Sequence, residues 1–141
     1  MKSIILLNIF LSAIFQLTAQ KTVDLTVKIT GLQNQKGLIE IALYNDPKKF
    51  PKVGQTMKMV RLKPTGKEIT YVFNDLKPGK YAVCTFHDEN SNKVCDKNMI
   101  GIPTEAFAFS NNFRPVISVP TFEQCATTVD KDKSLNIKMV Y

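Results

Sequence analysis

The segment between residues 88 and 96 combines oxygen-bearing side chains with a spacing suited to a metal ion. Asp88, Asn90, Asn92 and Asp96 occupy positions 1, 3, 5 and 9 of this segment, and Val94 at position 7 offers its backbone carbonyl. The pattern matches most of an EF-hand calcium loop, in which alternate residues surround a hard cation with about six to eight oxygens. The sequence therefore predicts a calcium-binding loop here.

Two positions of the loop depart from the calcium pattern. Lys93 stands at position 6, where the sharp turn normally needs glycine, and Met99 stands at position 12, where a bidentate glutamate is usual. We therefore expect only weak binding, with a dissociation constant of about 10⁻⁴ to 10⁻³ M, and Glu105 or water completing the shell. The alternative is a polar loop held by its own hydrogen bonds, without metal.

A second candidate site joins a histidine to a polar cluster downstream of the loop. Its members are His87, Glu105, Ser110, Asn111 and Asn112. Phenylalanines at positions 107, 109 and 113 flank the cluster, and aromatic rings beside amide groups can bind a sugar or a peptide. Alternatively, the rings close the open end of the fold while the polar side chains satisfy backbone groups.

The same residues allow an alternative hypothesis, an envelope hydrolase that uses Glu105 together with Asp88 or His87. No spacing in the sequence selects such a pair. Cys84 and His87 do not form a nucleophile and base, because an odd separation places them on opposite faces of a regular strand. We therefore predict a non-catalytic protein, with His87 hydrogen-bonded to an adjacent loop.

Three cysteines, Cys84, Cys95 and Cys125, allow three single pairings, each of which leaves one thiol over. Their spacing is neither that of a C-x-x-C redox motif nor that of a zinc finger. We predict at most one disulfide, and the sequence does not indicate which pair forms it.

The amino-terminal residues have the three parts of a secretory signal peptide. Lys2 precedes a nearly unbroken apolar run over residues 4–17, and the small residue Ala19 follows shortly after it. The run is too short and too interrupted for a membrane-spanning helix, which needs about 20 apolar residues. The sequence predicts cleavage after residue 19 and a mature domain over 20–141 without a transmembrane segment, exported to the periplasm or the extracellular space. An uncleaved amino-terminal anchor is the alternative.

The mature chain has the patterning of an all-β domain. Residues 23–30 alternate strictly between apolar and polar, as a half-buried strand does, and 39–43 and 135–141 repeat the pattern. Further strands are predicted over 57–62, 68–73, 80–87, 116–119 and 123–129. No window shows a helical period, so we predict a single antiparallel β-sandwich of seven or eight strands.

The charge composition does not suggest a polyanion partner. The chain has 19 Lys and Arg against 12 Asp and Glu, a formal charge of +7. Only Arg61 and Arg114 are arginines, and the lysines are scattered along the chain rather than clustered. A nucleic-acid interface normally shows a basic patch with arginines and aromatics, so we predict no nucleic-acid partner.

Two stretches of the sequence resemble a known family. Residues 73–88 contain the leucine, proline-glycine and tyrosine that begin a strand in prealbumin-like sandwiches. The more specific stretch runs from His87-Asp88 through Asp96 and from Gly101-Ile102-Pro103 to Asn112. Together they are similar to DUF2141, a bacterial family of exported small proteins, over essentially the whole mature chain. The resemblance implies an immunoglobulin- or prealbumin-like sandwich outside the cytoplasm and assigns no activity. Lys93 directly follows Asn92 where the family's loop usually has glycine, and the cysteines are not part of the family pattern.

From these observations we predict an exported, non-catalytic β-sandwich that serves as a binding or structural module of the bacterial envelope. The predicted binding end is formed by residues 87–112, with calcium as a possible stabilising ion and no other cofactor. An envelope protein or glycan is the expected partner.

Overall fold

Eight strands in two sheets form the framework of the chain. A computed structural model describes residues 21–116 and 118–141, so the predicted signal segment lies outside the described residues. The strands are β1 Val23–Thr30, β2 Leu38–Tyr44, β3 Lys58–Leu62, β4 Glu68–Leu76, β5 Gly79–Asp88, β6 Phe107–Phe109, β7 Thr127–Val129 and β8 Lys133–Lys138. A 3₁₀ turn, Ser110–Asn112, follows β6, and a one-turn helix, α1, spans Phe122–Cys125.

The two sheets enclose the main core between their inner faces. One sheet has the order β4-β1-β8; the other has the order β3-β2-β5-β6, with β7 also paired to β5. In β1 the apolar residues are buried and the intervening polar residues are not, as the alternation predicts. The predicted all-β sandwich is confirmed. No helix among the described residues has the length and apolarity needed to cross a membrane.

One strand pairing departs from the predicted antiparallel pattern. β1 and β8 run parallel, from Leu25 opposite Lys133 to Thr30 opposite Lys138. The chain reaches β8 from β7, which pairs with β5 in the other sheet, so it crosses between the sheets rather than turning back beside β1. Such a crossover allows a parallel pair, which a tight hairpin cannot form.

A second apolar cluster covers the outer face of the β3-β2-β5-β6 sheet. Its buried members are Ala42, Tyr44, Phe50, Ala82, Phe109, Phe122 and Cys125. Part of this cover is α1, where a strand was predicted over 123–129; only the last three of those residues form one, β7. The backbone N–H of Thr121 donates to Oε1 of Gln124 at 2.8 Å, which caps the helix. The strand predicted over 116–119 is also wrong, since residues 116, 118 and 119 lie in irregular structure.

Four loops meet at one end of the sandwich, which we call the loop pole: residues 31–37, 63–67, 89–106 and 139–141. The strand registers bring these segments together, because Thr30 lies opposite both Glu68 and Lys138, while Leu38 lies opposite Asp88. Gly37 makes the closest approach. It has a φ of +58°, and a Cβ at this position would lie 1.8 Å from the carbonyl oxygen of Asp88. Only glycine fits there.

Candidate functional site

Asp88 begins the predicted calcium loop at the end of β5, and its side chain is 1% exposed. Its Oδ1 accepts the backbone N–H of Asn92 at 3.0 Å, and its Oδ2 accepts that of Lys93 at 2.8 Å. Lys93 adopts a φ of +65°, the left-handed conformation for which a calcium loop normally uses glycine. The carboxylate thus folds the loop onto itself through charge-assisted hydrogen bonds.

The two asparagines of the loop bridge its backbone to Asp96. Oδ1 of Asn90 accepts the N–H of Asn92, and Oδ1 of Asn92 accepts the N–H of Val94. Both side-chain amides donate to the Asp96 carboxylate, at distances between 2.7 and 3.0 Å. These are Asx turns, and they orient the amide oxygens toward the loop's own backbone.

Glu105 closes the loop from outside. Its Oε1 accepts the backbone N–H of Glu89 and its Oε2 accepts that of Asp96, both at 3.1 Å. Burial raises the pKa of the Glu105 carboxyl, and the nearby carboxylates of Asp88 and Asp96 add to this, while the two backbone N–H groups oppose it. Glu105 therefore joins both ends of the 89–96 segment.

The loop as folded uses its oxygens for hydrogen bonds within the protein. In residues 21–116 and 118–141, no three His, Cys, Asp or Glu side chains converge as a metal-binding group. Calcium would have to draw Asp88, Asn90, Asn92 and Asp96 away from these partners, and Met99 at position 12 points into solvent. Calcium binding stays a prediction, and the hydrogen-bonded turn accounts for every contact described in the loop.

His87 is fully buried and links two other parts of the loop pole. Its Nε2 lies 2.7 Å from the carbonyl oxygen of Lys36, so this nitrogen carries a proton and donates it. Its Nδ1 lies 2.7 Å from the hydroxyl of Tyr141, which in turn accepts the backbone N–H of Gln33 at 3.1 Å. With Nε2 protonated, a neutral imidazole accepts the tyrosine proton at Nδ1. The imidazole is hydrogen-bonded, but its partners are Lys36 of the 31–37 loop and Tyr141 rather than the adjacent 88–96 loop that the sequence suggested.

The polar residues after β6 bind the backbone of neighbouring elements. The buried Ser110 hydroxyl accepts the N–H of Val83 at 2.8 Å and donates to the carbonyl of Cys125 at 2.6 Å. Asn111 donates to the carbonyl of Ala126. The side-chain amide of Asn112 donates to the carbonyl of Asn136 and accepts the N–H of Lys138, as a neighbouring strand would at the free edge of β8. Both asparagines have φ near +50° to +60°, which asparagine tolerates. Their directed hydrogen-bonding groups are thus largely occupied.

An aromatic groove of about 240 Å³ lies beside these residues, where β6 meets β8. Phe107, Phe109 and Phe113 line it, together with Ala108, Pro115 and Val140. Asn112, Arg114 and Lys138 are its polar lining residues, and the lining contains no acidic side chain. The sequence suggested the three aromatic rings but not the two cations. Lys138 approaches the rings through a β-bridge between Phe107 and Val140 and through the hydrogen bond from its N–H to Asn112.

The three cysteines are free thiols. Cys84 and Cys125 lie on the outer side of the β3-β2-β5-β6 sheet, and Cys95 lies in the 89–106 loop. Burial raises the pKa of Cys84 to about 12, with contributions from Cys95, Glu40 and Cys125, and raises that of Cys125 to about 11. The pKa of Cys95 is raised to about 11, again first by burial. Thiols with such pKa values are protonated near neutral pH and are therefore weak nucleophiles.

The fold and the site define a small β-sandwich domain with a hydrogen-bonded loop pole and an aromatic groove at the junction of its sheets. Comparison with protein families places it further: the chain belongs to the bacterial family described as uncharacterized protein conserved in bacteria (DUF2141), which matches residues 27–138. The predicted family membership is confirmed. No curated protein and no solved structure matches the chain.

Proposed function

We propose that this protein is an exported, non-catalytic binding module of the bacterial envelope, and that the aromatic groove takes an apolar group that carries a carboxylate. The observation that carries the proposal is the lining of the groove, in which three phenylalanines stand beside Arg114 and Lys138. Apolar walls with a few convergent polar groups are typical of ligand sites. An envelope protein that ends in an apolar residue would supply such a group.

The hydrogen bonds around the groove favour this chemistry over a sugar. A sugar needs several directed donors and acceptors, whereas the amide of Asn112 already bonds Asn136 and Lys138, and Ser110 is fully buried. What stays available is ring surface and positive charge. Arginine can hold a carboxylate through two parallel hydrogen bonds, and lysine adds a second cation.

The size of the groove limits the ligand to a small group. Its volume of about 240 Å³ is below the range of about 300–1,000 Å³ usual for drug-sized ligands. One aromatic or branched aliphatic side chain with its adjoining carboxylate fits this volume. The carboxyl-terminal residue of a peptide and a short fatty acid share this chemistry.

Titration followed by NMR tests the proposal with three probes: N-acetyl-phenylalanine, its carboxamide, and octanoate. We expect saturable shifts of the amide signals of residues 107–114 and 138–140 with the first probe, and binding about three- to tenfold weaker with the carboxamide, as an exposed charge-assisted contact would give. Octanoate distinguishes a fatty acid from the carboxyl-terminal residue of a peptide. Tighter binding of N-acetyl-phenylalanine than of octanoate would favour the peptide, and the reverse order would favour the fatty acid.

Arg114→Gln and Lys138→Gln should each weaken binding of N-acetyl-phenylalanine, whereas Lys48→Gln, an exposed lysine in the loop after β2, is the matched control. Equal affinity for the acid and the carboxamide would contradict carboxylate recognition. Absence of saturable shifts at about 10 mM probe would contradict the binding site itself.

Export is part of the proposal and has its own test. Amino-terminal sequencing of the protein from the envelope fraction of its host should give a start near Gln20, since the tripartite start supports cleavage there. An intact Met1, or retention in the membrane after carbonate washing, would contradict export as a processed protein.

A further inference from the structure

A tight turn at the far end of the loop pole displays apolar side chains to solvent. The turn, residues 97–103, is held by Asn98, whose Oδ1 accepts the N–H groups of Ile100 and Ile102 at 3.1 and 3.0 Å. The backbone of Asn98 also bonds Ile102 and Gly101, both at 2.9 Å, and Lys97 pairs with Pro103 across the base. We call this turn the apolar tip.

Three large side chains of the apolar tip project away from the protein. Met99, Ile100 and Ile102 are 105%, 79% and 54% exposed, respectively. The hydrogen bonds of Asn98 fix this arrangement, so the exposure is built into the turn. Neighbouring exposed apolar residues that are held in one conformation mark an interaction surface rather than the scattered surface residues of ordinary proteins.

The charges around the apolar tip are distributed unequally between interior and surface. All five lysines of the loop pole are exposed: Lys36, Lys63, Lys67, Lys93 and Lys97. Its acidic residues, Glu89, Asp96 and Glu105, are partly buried, and Asp88 at the end of β5 is buried. Asp88 and Glu105 accept N–H groups of the loop backbone, and Asp96 accepts the side-chain amides of Asn90 and Asn92. Glu68, at the edge of the pole, is exposed but paired with Lys28. The outward-facing charge of the loop pole is therefore mainly positive.

From this combination we propose that the loop pole docks on an anionic lipid bilayer, with the apolar tip entering the interface and the lysines contacting lipid headgroups. A narrow convex tip fits a fluid interface, which closes around it, whereas a protein partner would need a preformed cavity of matching shape. Interfacial binding combines apolar burial with attraction to anionic lipids in this way. This proposal does not rest on the aromatic groove, because docking of the loop pole on a bilayer does not require a ligand in the groove.

Vesicle flotation tests the docking with protein that begins at Gln20. All eight strands and both apolar clusters lie within residues 23–140, so this protein keeps every described contact of the fold and lacks the apolar amino terminus. We expect it to float with vesicles of phosphatidylglycerol and phosphatidylcholine, and far less with phosphatidylcholine alone. Raising the salt from about 0.1 M to 1 M should reduce binding, because the Debye length falls from about 10 Å to 3 Å.

Replacing Met99, Ile100 and Ile102 together by serine should weaken vesicle binding at least about tenfold. Lys93→Gln and Lys97→Gln should each weaken it about fivefold. The matched controls are Val53→Ser, which removes an equally exposed apolar side chain far from the pole, and Lys48→Gln; both should bind as the unaltered protein does. Thermal unfolding verifies that each variant is folded.

Absence of flotation with anionic vesicles would overturn the proposal, as would equal binding by the triple serine variant. Self-association that disappears in the triple variant, without vesicle binding, would identify a second copy of the chain as the occupant and would also overturn it. NMR titration of the triple variant with N-acetyl-phenylalanine keeps the two proposals apart, because groove binding should be unchanged.

Discussion

Replacing Gly37 by alanine should destabilise the protein far more than the same change at Gly54. Both glycines have positive φ, +58° and +75°, so both variants incur the left-handed penalty of about 1–2 kcal/mol, partly offset by a less flexible unfolded chain. They differ in space: a Cβ at Gly54 meets nothing within 4 Å, whereas at Gly37 it lies 1.8 Å from the Asp88 carbonyl oxygen. Relief of this clash requires the backbones of residue 37 and Asp88 to separate by more than about an ångström.

That separation has a cost that can be worked out from the neighbouring contacts. Lys36, next to Gly37, accepts the 2.7 Å hydrogen bond from the buried His87, and loss of this bond leaves a buried donor without a partner, at about 1–3 kcal/mol. Leu38 pairs with Asp88 in the first register position between β2 and β5. We therefore expect a loss of about 3–5 kcal/mol for Gly37→Ala and about 1 kcal/mol for Gly54→Ala.

Urea unfolding measures the difference between the two variants. With a slope of about 1–3 kcal/mol per molar urea, the midpoint of Gly37→Ala should fall by roughly 2 M, and that of Gly54→Ala by less than about 1 M. Asparagine tolerates positive φ, so Gly54→Asn should be nearly neutral while Gly37→Asn stays destabilised by the clash. Equal losses at the two glycines would refute the close approach of residue 37 to Asp88.

Three further predictions concern the loop pole. His87→Leu removes both hydrogen bonds of the buried imidazole and should lower the free energy of unfolding by about 2–4 kcal/mol. Tyr141→Phe removes only the hydroxyl and should lower it by about 1 kcal/mol. A smaller loss for His87→Leu in urea unfolding would show that the hydrogen bonds of His87 do not stabilise the loop pole. The pKa of Glu105 is raised in the folded protein, so the folded state binds the Glu105 proton more tightly than the unfolded state does. The contribution of Glu105 to stability should therefore fall as pH rises from its unfolded pKa through its folded pKa. In thermal melts between about pH 4 and 7 the Glu105→Gln variant should lack this fall, and identical pH profiles of the two proteins would disprove the prediction. Calcium at ten times its dissociation constant should stabilise the protein by about 1.4 kcal/mol in thermal melts, and Asp96→Ala should abolish the gain; an unchanged midpoint with no calorimetric heat would leave the loop a hydrogen-bonded turn.

The sequence was most informative where one local rule determines the structure. Strict alternation over 23–30 predicted β1 and its buried face, since a strand on the core has a period of two. At α1 the pattern misled, although Thr121 and Gln124 have the spacing of a capping box that could have indicated a helix start.

The site was less predictable because its properties depend on contacts between distant residues. Spacing alone identified the oxygens of 88–96, but not that N–H groups of the loop occupy them or that Glu105 binds the loop backbone. The groove includes Lys138, which lies beside β6 because Phe107 and Val140 form a β-bridge and the N–H of Lys138 donates to Asn112. Sequence patterns report local conformation, whereas these contacts follow from topology.

The parallel pairing of β1 with β8 has a consequence for how the chain folds. The first strand takes its partner from the last strand, and the N–H of Asp24 bonds Asp132 across 108 residues of sequence. Closing so long a loop comes before the pairing that stabilises it, so contacts of this kind slow folding. Until residues 133–138 are available, a growing chain therefore has a three-stranded sheet in which the place of β8 is vacant. Removing the last nine residues would leave β1 with an exposed edge, and such edges recruit other chains.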